Sequence, residues 1–198
     1  MPLRHRTRNL CAPPAIGRAW IRALSDPKRS AYGQVATLDG LGHPQVRTVH
    51  LRWLPEKDAF GFICHIDSPK WKQLARSKSL AGLYYDPHRL VQWRWSGRAE
   101  RVAGGNPEDR ALLDRLWGLL RAAVRAEYWR DHLGSRAVCD LSRRAPNAVL
   151  VLCRPRCWDV FDMHPTDYAK GKRTLYARRA RSWSSRRVSM LHGRPLQA

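Results

Sequence analysis

The chain has 198 residues, 43% of them apolar. That is enough for one buried core and short enough that one domain is the default expectation, which excludes a chain disordered along its whole length. Its 37 Lys and Arg, 30 of them Arg, stand against 16 acids and give a net charge of +21, a balance that favours polyanionic or phosphorylated ligands. Residues 1 to 25 hold five bases and residues 168 to 198 hold nine, neither segment with an acid, so basic tails flank a central stretch of only +7. No apolar run reaches the roughly 18 residues of a membrane span, and the N-terminus lacks the apolar centre of a signal peptide. The expected location is cytoplasmic, with no membrane partner. Five cysteines (Cys11, Cys64, Cys139, Cys153 and Cys157) form an odd set without a CxxC. Cys153 and Cys157 lack companion ligands, so neither a metal site nor a disulfide framework is read.

In chain order, PPAIGRAWIRAL (residues 13 to 24) sets Ile16, Trp20, Ile21 and Leu24 on one face of a short helix. The run AYGQVATLD from Ala31 and the run PQVRTVHLRWL from Pro44 read as two strands of a hairpin about Gly40-Leu41-Gly42. AFGFICHI from Ala59 is a third strand, after which Ser68 caps a helix through Lys70, Leu74 and Ala75. SLAGLYYD and LVQWRWSGRAERV are two more strands joined at Asp86-Pro87-His88. Asn106 and Pro107 open the longest helix, predicted to run to Trp129 on the spacing of Leu112, Leu113, Leu116, Leu119, Leu120 and Ala123. NAVLVLCR and RCWDVFDM are predicted as a hairpin about Arg154-Pro155, and KRTLYAR and SWSSRRVSML as two final strands. Many short strands in hairpins with a few helices between them argue a small β-barrel or α+β fold, not a parallel sheet. No repeat and no Gly-rich phosphate loop is present.

Basic groups recur in the first half of the chain, at Arg47 and Arg52 on the second strand and at Lys70 in a helix's first turn. A lysine there opposes the helix dipole unless an anion takes it up, and the free amides of the same turn attract anions. A phosphate site is one reading; solvated helix charges at Lys70 and Lys72 are the other.

The ordered series AYGQVATLDGLGHPQVRTVHLRW, FGFICHIDSPKWKQLA and LAGLYYDPHRLVQWRWSGRAERV resembles the FMN-binding split barrel of the pyridoxamine 5'-phosphate oxidase-like family, most strongly over residues 30 to 103. Among its branches the chain looks closest to the oxidase-related FMN-binding domains rather than to the true vitamin B6 oxidase. The resemblance implies a mainly β or α+β fold, a six- to eight-stranded split barrel with flanking helices and a core from about 14 to 195. It also implies a homodimer with FMN at the interface.

Carried over position by position, the family's R-x-x-x-x-K strand falls on Arg47, Thr48, Val49, His50, Leu51 and Arg52. The first Arg then binds the flavin phosphate, and Arg52 replaces the lysine beside the ring and the substrate. His65 and Ile66 match an aromatic-Thr pair that meets the flavin through backbone. Ser68-Pro69-Lys70 matches an S-R-K phosphate clamp that has lost one cation to Pro69. Gln92 matches a ring-binding glutamine, and Arg173 in KRTLYAR matches a flavin-binding arginine near the family's C-terminus. Gln92 and Arg173 would come from the second subunit. Tyr128, with Trp129, falls where relatives close the substrate pocket, although both can equally be core aromatics. The residues that grip the B6 phosphate in the true oxidase are replaced by Ala169 and Gly171, so the resemblance implies an oxidoreductase with an altered, unknown small-molecule substrate.

Arg47 and Arg52, five apart, point to opposite faces of a regular strand and meet one ligand only across a bulge or strong twist. His50 can relay a proton or be structural. The aromatic face formed by Trp93 and Trp95 is assigned by the resemblance to a subunit interface. Two other readings stand beside FMN: the same fold holding deazaflavin or haem, and a non-catalytic protein binding nucleic acid through its Arg-rich end, where Trp183 lies among arginines.

Overall fold

The structure is a computed structural model that describes residues 11–26, 30–129, 140–180 and 182–191. The basic tail before residue 11, Cys139 within the polar link, and residues 192 to 198 lie outside them. Helix α1 (Pro14–Ser25) leads into β1 (Tyr32–Leu38), β2 (Pro44–His50), β3 (Arg52–Leu54) and β4 (Ala59–His65). Helix α2 (Pro69–Arg76), β5 (Ser79–Asp86) and β6 (Val91–Val102) follow, then α3 (Pro107–Gly118) and α4 (Ala122–Trp129). The chain continues through β7 (Ala148–Asp162), β8 (Lys172–Arg179) and β9 (Ser182–Val188).

Every strand pairing is antiparallel. The sheet runs β2-β1-β5-β6-β7-β4-β3, with the β8-β9 hairpin carried on β7. Its two end strands, β2 and β3, are consecutive halves of the run Pro44–Leu54, so the sheet closes on itself through the chain at Leu51. The ring is closed there by the covalent chain, with β2 pairing only β1 and β3 only β4 among the described residues. Strand β7 lets a barrel and an extra hairpin share one wall. Its first half pairs with β4, its second half with β8, and its whole length with β6.

Trp20 from α1 fills the core. Its indole meets Phe60 and Trp158 at 5.0 Å, Trp95 at 5.5 Å, Trp93 at 5.6 Å and Tyr84 at 6.0 Å, mostly edge to face, the arrangement aromatic quadrupoles favour. Trp93 and Trp95 therefore pack inside their own chain around Trp20, not at a subunit interface as the family resemblance implied.

The ring has seven strands among the described residues, within the six to eight expected, and the two expected final strands form the β8-β9 hairpin off the ring; the expected second strand breaks into β2 and β3. The break comes at Leu51, whose side chain is fully buried and whose N–H donates to Ala31 O at 2.8 Å. The hairpin predicted about Arg154-Pro155 is instead one strand. Pro155, which has no N–H, is accommodated at a β-bulge where Gly97 faces it, and pairing with β6 resumes on either side. The long helix predicted from Asn106 to Trp129 is two helices. Helix α3 ends at Gly118, the N–H groups of Leu119 and Leu120 close a tight turn onto Leu116 O and Trp117 O, and α4 starts after Arg121. Trp117 Nε1 and Arg125 Nη1 both donate to Leu141 O, at 3.2 and 2.8 Å, which fixes the bend.

Candidate functional site

A cavity of about 540 Å³ opens between β2 and β3 on one side, β4 and the start of α2 on a second, and the α3–α4 turn on a third. The size suits a cofactor-sized ligand. At one end, Ser68 sits at the N-cap of α2 with its side chain making no cap hydrogen bond. Its hydroxyl is buried, makes no well-aligned hydrogen bond, and lies against the Cys64 thiol. Pro69 at the first helical position has no N–H to offer. Lys70, half-buried in the same turn, makes no ion pair among the described residues, whereas exposed Lys72 pairs with Asp67 at 3.5 Å. Burial pushes the Lys70 ammonium below its ordinary range, the Cys64 thiol partly offsets this, and the nearby Arg47 guanidinium adds to it. A buried hydroxyl that meets only a thiol, and a half-buried cation beside a second cation, make a site suited to an anion that the protein itself does not supply.

Arg47 does not line the cavity. Its guanidinium turns to the Thr37 hydroxyl and donates to Gln73 Oε1 at 3.0 Å. Both partners are neutral, so its charge remains uncompensated beside Lys70. Arg52 does line the cavity, because the break at Leu51 re-aims the chain after His50. Arg52 Nη2 lies 3.4 Å from His50 Nδ1 and donates to Leu119 O at 3.3 Å. The face problem posed by Arg47 and Arg52 is thus resolved at Leu51, with one cation inside the cavity and the other behind its basic end at Ser68 and Lys70.

Burial, reinforced by the charges of Arg52 and Arg121, pushes His50 down to about 4. It is neutral at physiological pH, free to accept a hydrogen bond and unable to serve as a standing acid. Thr48, Val49 and His65 also line the cavity. Tyr128 does so while stacking on His65 at 6.0 Å and meeting Trp117 edge-on at 5.6 Å, so it is both wall and core. Burial raises its phenol above the ordinary value. Ile66 is exposed outside the cavity, its N–H donating to Asn147 O at 2.8 Å.

Gln92 and Arg173 do not line the cavity; they lie on β6 and β8, each opposite Phe161 on β7 between them. Arg173 grips Asp159 with two nitrogens at 2.9 and 3.0 Å, and Arg94 Nη2 reaches the same carboxylate at 2.6 Å. The two guanidinium carbons sit 4.1 and 4.5 Å from the Phe161 ring centre. Sequence reasoning passed over Tyr32, Glu127 and Arg121, which also line the cavity. Arg121 was hidden by reading one unbroken helix, and Gly118 was the available sign of the break.

Residues 16–103 match the family model described as pyridoxamine 5'-phosphate oxidase, FMN-binding domain. Over that segment the chain is similar to the pyridoxamine 5'-phosphate oxidase-like family. The matched segment runs from α1 to the end of β6 and contains the cavity's basic end at Ser68 and Lys70. No curated protein matches the chain. Among solved structures, a pyridoxamine 5'-phosphate oxidase-related, FMN binding protein from Nostoc punctiforme PCC 73102 is similar at 23% identity and a TM-score of 0.73. That similarity covers 91% of this chain and 99% of the other. PhzG from Burkholderia lata 383, solved with tetrahydrophenazine-1-carboxylic acid, is similar at 19% identity and a TM-score of 0.65, covering 88% of this chain and 87% of that one. Identities this low show a shared fold, which is the split barrel of the family.

The residues present fit the flavin mononucleotide that the family's description names. The buried Ser68 hydroxyl, Lys70 and the uncompensated Arg47 suit a phosphate, and Arg52, His50 and Tyr128 occupy the rest of the cavity wall. Pro69 leaves the basic end poorer by one amide. No helix among the described residues is long and apolar enough to cross a membrane.

Proposed function

We propose that this protein is an FMN-dependent oxidoreductase acting on a small molecule other than a phosphorylated B6 vitamer. The observation that carries the reading is the unsatisfied anion site at Ser68 and Lys70. Lys70 is half-buried at a helix start and pairs with no acid among the described residues, and a bound phosphate would supply the missing charge. Ser68 would hold the flavin phosphate by its hydroxyl and Lys70 by its ammonium, with Arg47 adding charge from behind. Thr48, Val49, His65 and Ile66 fall to the flavin by family position.

Bound flavin supplies the electron transfer, and the protein supplies binding, orientation and hydrogen bonds. Arg52 is held in place by Leu119 O and lies where the ring and the substrate would meet. His50 accepts hydrogen bonds there, and Tyr128 closes the wall. Ala169 and Gly171 offer no charged grip to a substrate phosphate, which argues against the parent reaction. Gln92 and Arg173 lie away from the cavity of their own chain, so they would serve the flavin of a second copy in a homodimer.

The visible spectrum of the purified protein, followed by titration with FMN and with riboflavin, tests the reading. Flavin bands with one FMN per chain, and riboflavin bound far more weakly, are the expected result. Equal affinity for FMN and riboflavin would remove the phosphate site. A single deazaflavin band or a Soret band would replace the cofactor, and a colourless protein that takes up no FMN would end the oxidoreductase reading.

A further inference from the structure

A second cavity, of about 560 Å³, opens where β6, β7 and β8 run together, and it shares no residue with the first. Six cations line it: Lys78, Arg98, Arg101, Arg154, Arg156 and Arg178, around Ala99 and a single carboxylate, Glu100. The local backbone explains the crowding. Across the bulge, Ser96 faces Cys157 and Gly97 faces Pro155, which leaves Arg156 without a partner on β6, and Arg98 then stands directly opposite Arg154. Gly97 holds this shape: a Cβ there would lie 2.2 Å from Arg154 O and 2.7 Å from Pro155 Cα, so the two backbones approach as only glycine allows.

Like charges directly opposite on paired strands destabilise a sheet. Here the protein relieves little of that repulsion. Glu100 takes Arg154, at 3.0 Å from two of its nitrogens. The Arg101 guanidinium lies over the Trp71 ring at 4.6 Å. Lys78, Arg98, Arg156 and Arg178 make no ion pair among the described residues. No aromatic side chain and no Asn or Gln lines the cleft. It therefore offers a base no aromatic ring to stack on and no side-chain amide to read its edge. What it presents is concentrated positive charge in a concave space, much of it as guanidinium groups whose fork geometry matches phosphate oxygens.

We propose that this cleft binds an oligophosphate, either free or as the phosphate chain of a nucleotide, at a site separate from the cavity that holds Lys70. Calorimetric titration of the full chain with tripolyphosphate and with ATP, at two salt concentrations, tests it. Three variants accompany the wild type: Lys70→Gln, Arg98→Gln with Arg156→Gln, and Arg98→Lys with Arg156→Lys.

The expected result is one binding event that weakens with salt and survives Lys70→Gln. It should fall about tenfold or more in the glutamine pair, as the loss of two charge-assisted contacts requires, and recover in large part in the lysine pair. Comparable affinity for tripolyphosphate and ATP would identify the phosphate chain alone as what is read, and a clear preference for ATP would identify a nucleotide. Thermal melting of the glutamine pair at the wild-type temperature establishes that lost binding is not lost folding. If that pair unfolds, the lysine pair together with Arg178→Gln carries the comparison. Absence of binding, equal binding by the glutamine pair, or loss of binding in Lys70→Gln would each overturn the proposal. Duplex DNA retention without tripolyphosphate uptake would overturn it in favour of nucleic acid, and self-association abolished by the glutamine pair would turn the cleft into a contact between copies.

Discussion

At the scale of single residues, the cavity's chemistry rests on groups the protein leaves without partners. Lys70→Ala should weaken FMN about tenfold to a hundredfold, the worth of a charge-assisted contact to a desolvated phosphate, and should leave riboflavin affinity nearly unchanged; fluorescence quenching on titration measures both. His50 adds a pH dependence whose sign follows from its depressed folded value. The unfolded chain binds the proton near the ordinary value of 6.5 and the folded one only near about 4. The neutral ring's contribution to stability is therefore complete above 6.5 and is lost as pH falls through that window. Urea midpoints measured from pH 7 to 4 should drop more steeply in the wild type than in His50→Gln. Ser68, Lys70 and Arg52 were legible as residue types in a pattern. The buried neutrality of His50 was not, because it depends first on burial in the folded cavity and then on the charges of Arg52 and of Arg121, the latter 71 positions away in sequence.

At the scale of elements, the departures from the sequence reading all have a local physical cause. Alternation identified the strands, and the spacing of leucines identified α3. Periodicity could not show that Leu51 would break one strand to close the ring. Nor could it show that Gly118 would end a helix whose apolar spacing continues past it. Pro155 looked like a turn because a proline cannot donate to a sheet. Opposite Gly97 it sits in a bulge, where the missing donor is tolerated. Gly97→Val should therefore cost at least the roughly 1–3 kcal/mol of overpacking, because the obstacle is backbone and cannot move aside; chemical denaturation reads this directly. Trp20→Ala removes the ring around which five aromatic residues gather. Its loss should cost about 3–5 kcal/mol and shows as a lowered urea midpoint.

At the scale of the whole molecule, one continuous barrel wall puts Cys11, Cys64 and Cys153 inside and Cys157 outside. Burial holds the Cys11 thiol up at about 12 and raises Cys64 and Cys153 as well. A thiol reagent at pH 8 should modify Cys157 quickly, and the other three only as fast as the native state opens, which mass spectrometry of the modified peptides resolves. Slow modification of Cys157 in the isolated protein, restored by dilution, would place the β7–β8 face in a contact between copies.

Composition, alternation and motif order by themselves determined the fold class and the resemblance to an FMN-binding family, because each depends on residue type and near-neighbour spacing. Only the tertiary structure decided which cations share a cavity. Arg52 and Lys70 meet because the ring closes at Leu51, Arg47 stands behind them because Thr37 and Gln73 hold its guanidinium, and Gln92 and Arg173 lie outside the cavity, each opposite Phe161. The second basic cleft arises in the same way. Its cations come from parts of the chain as far apart as Lys78 and Arg178, and a single glycine-proline bulge brings β6, β7 and β8 close enough for their like charges to face one another.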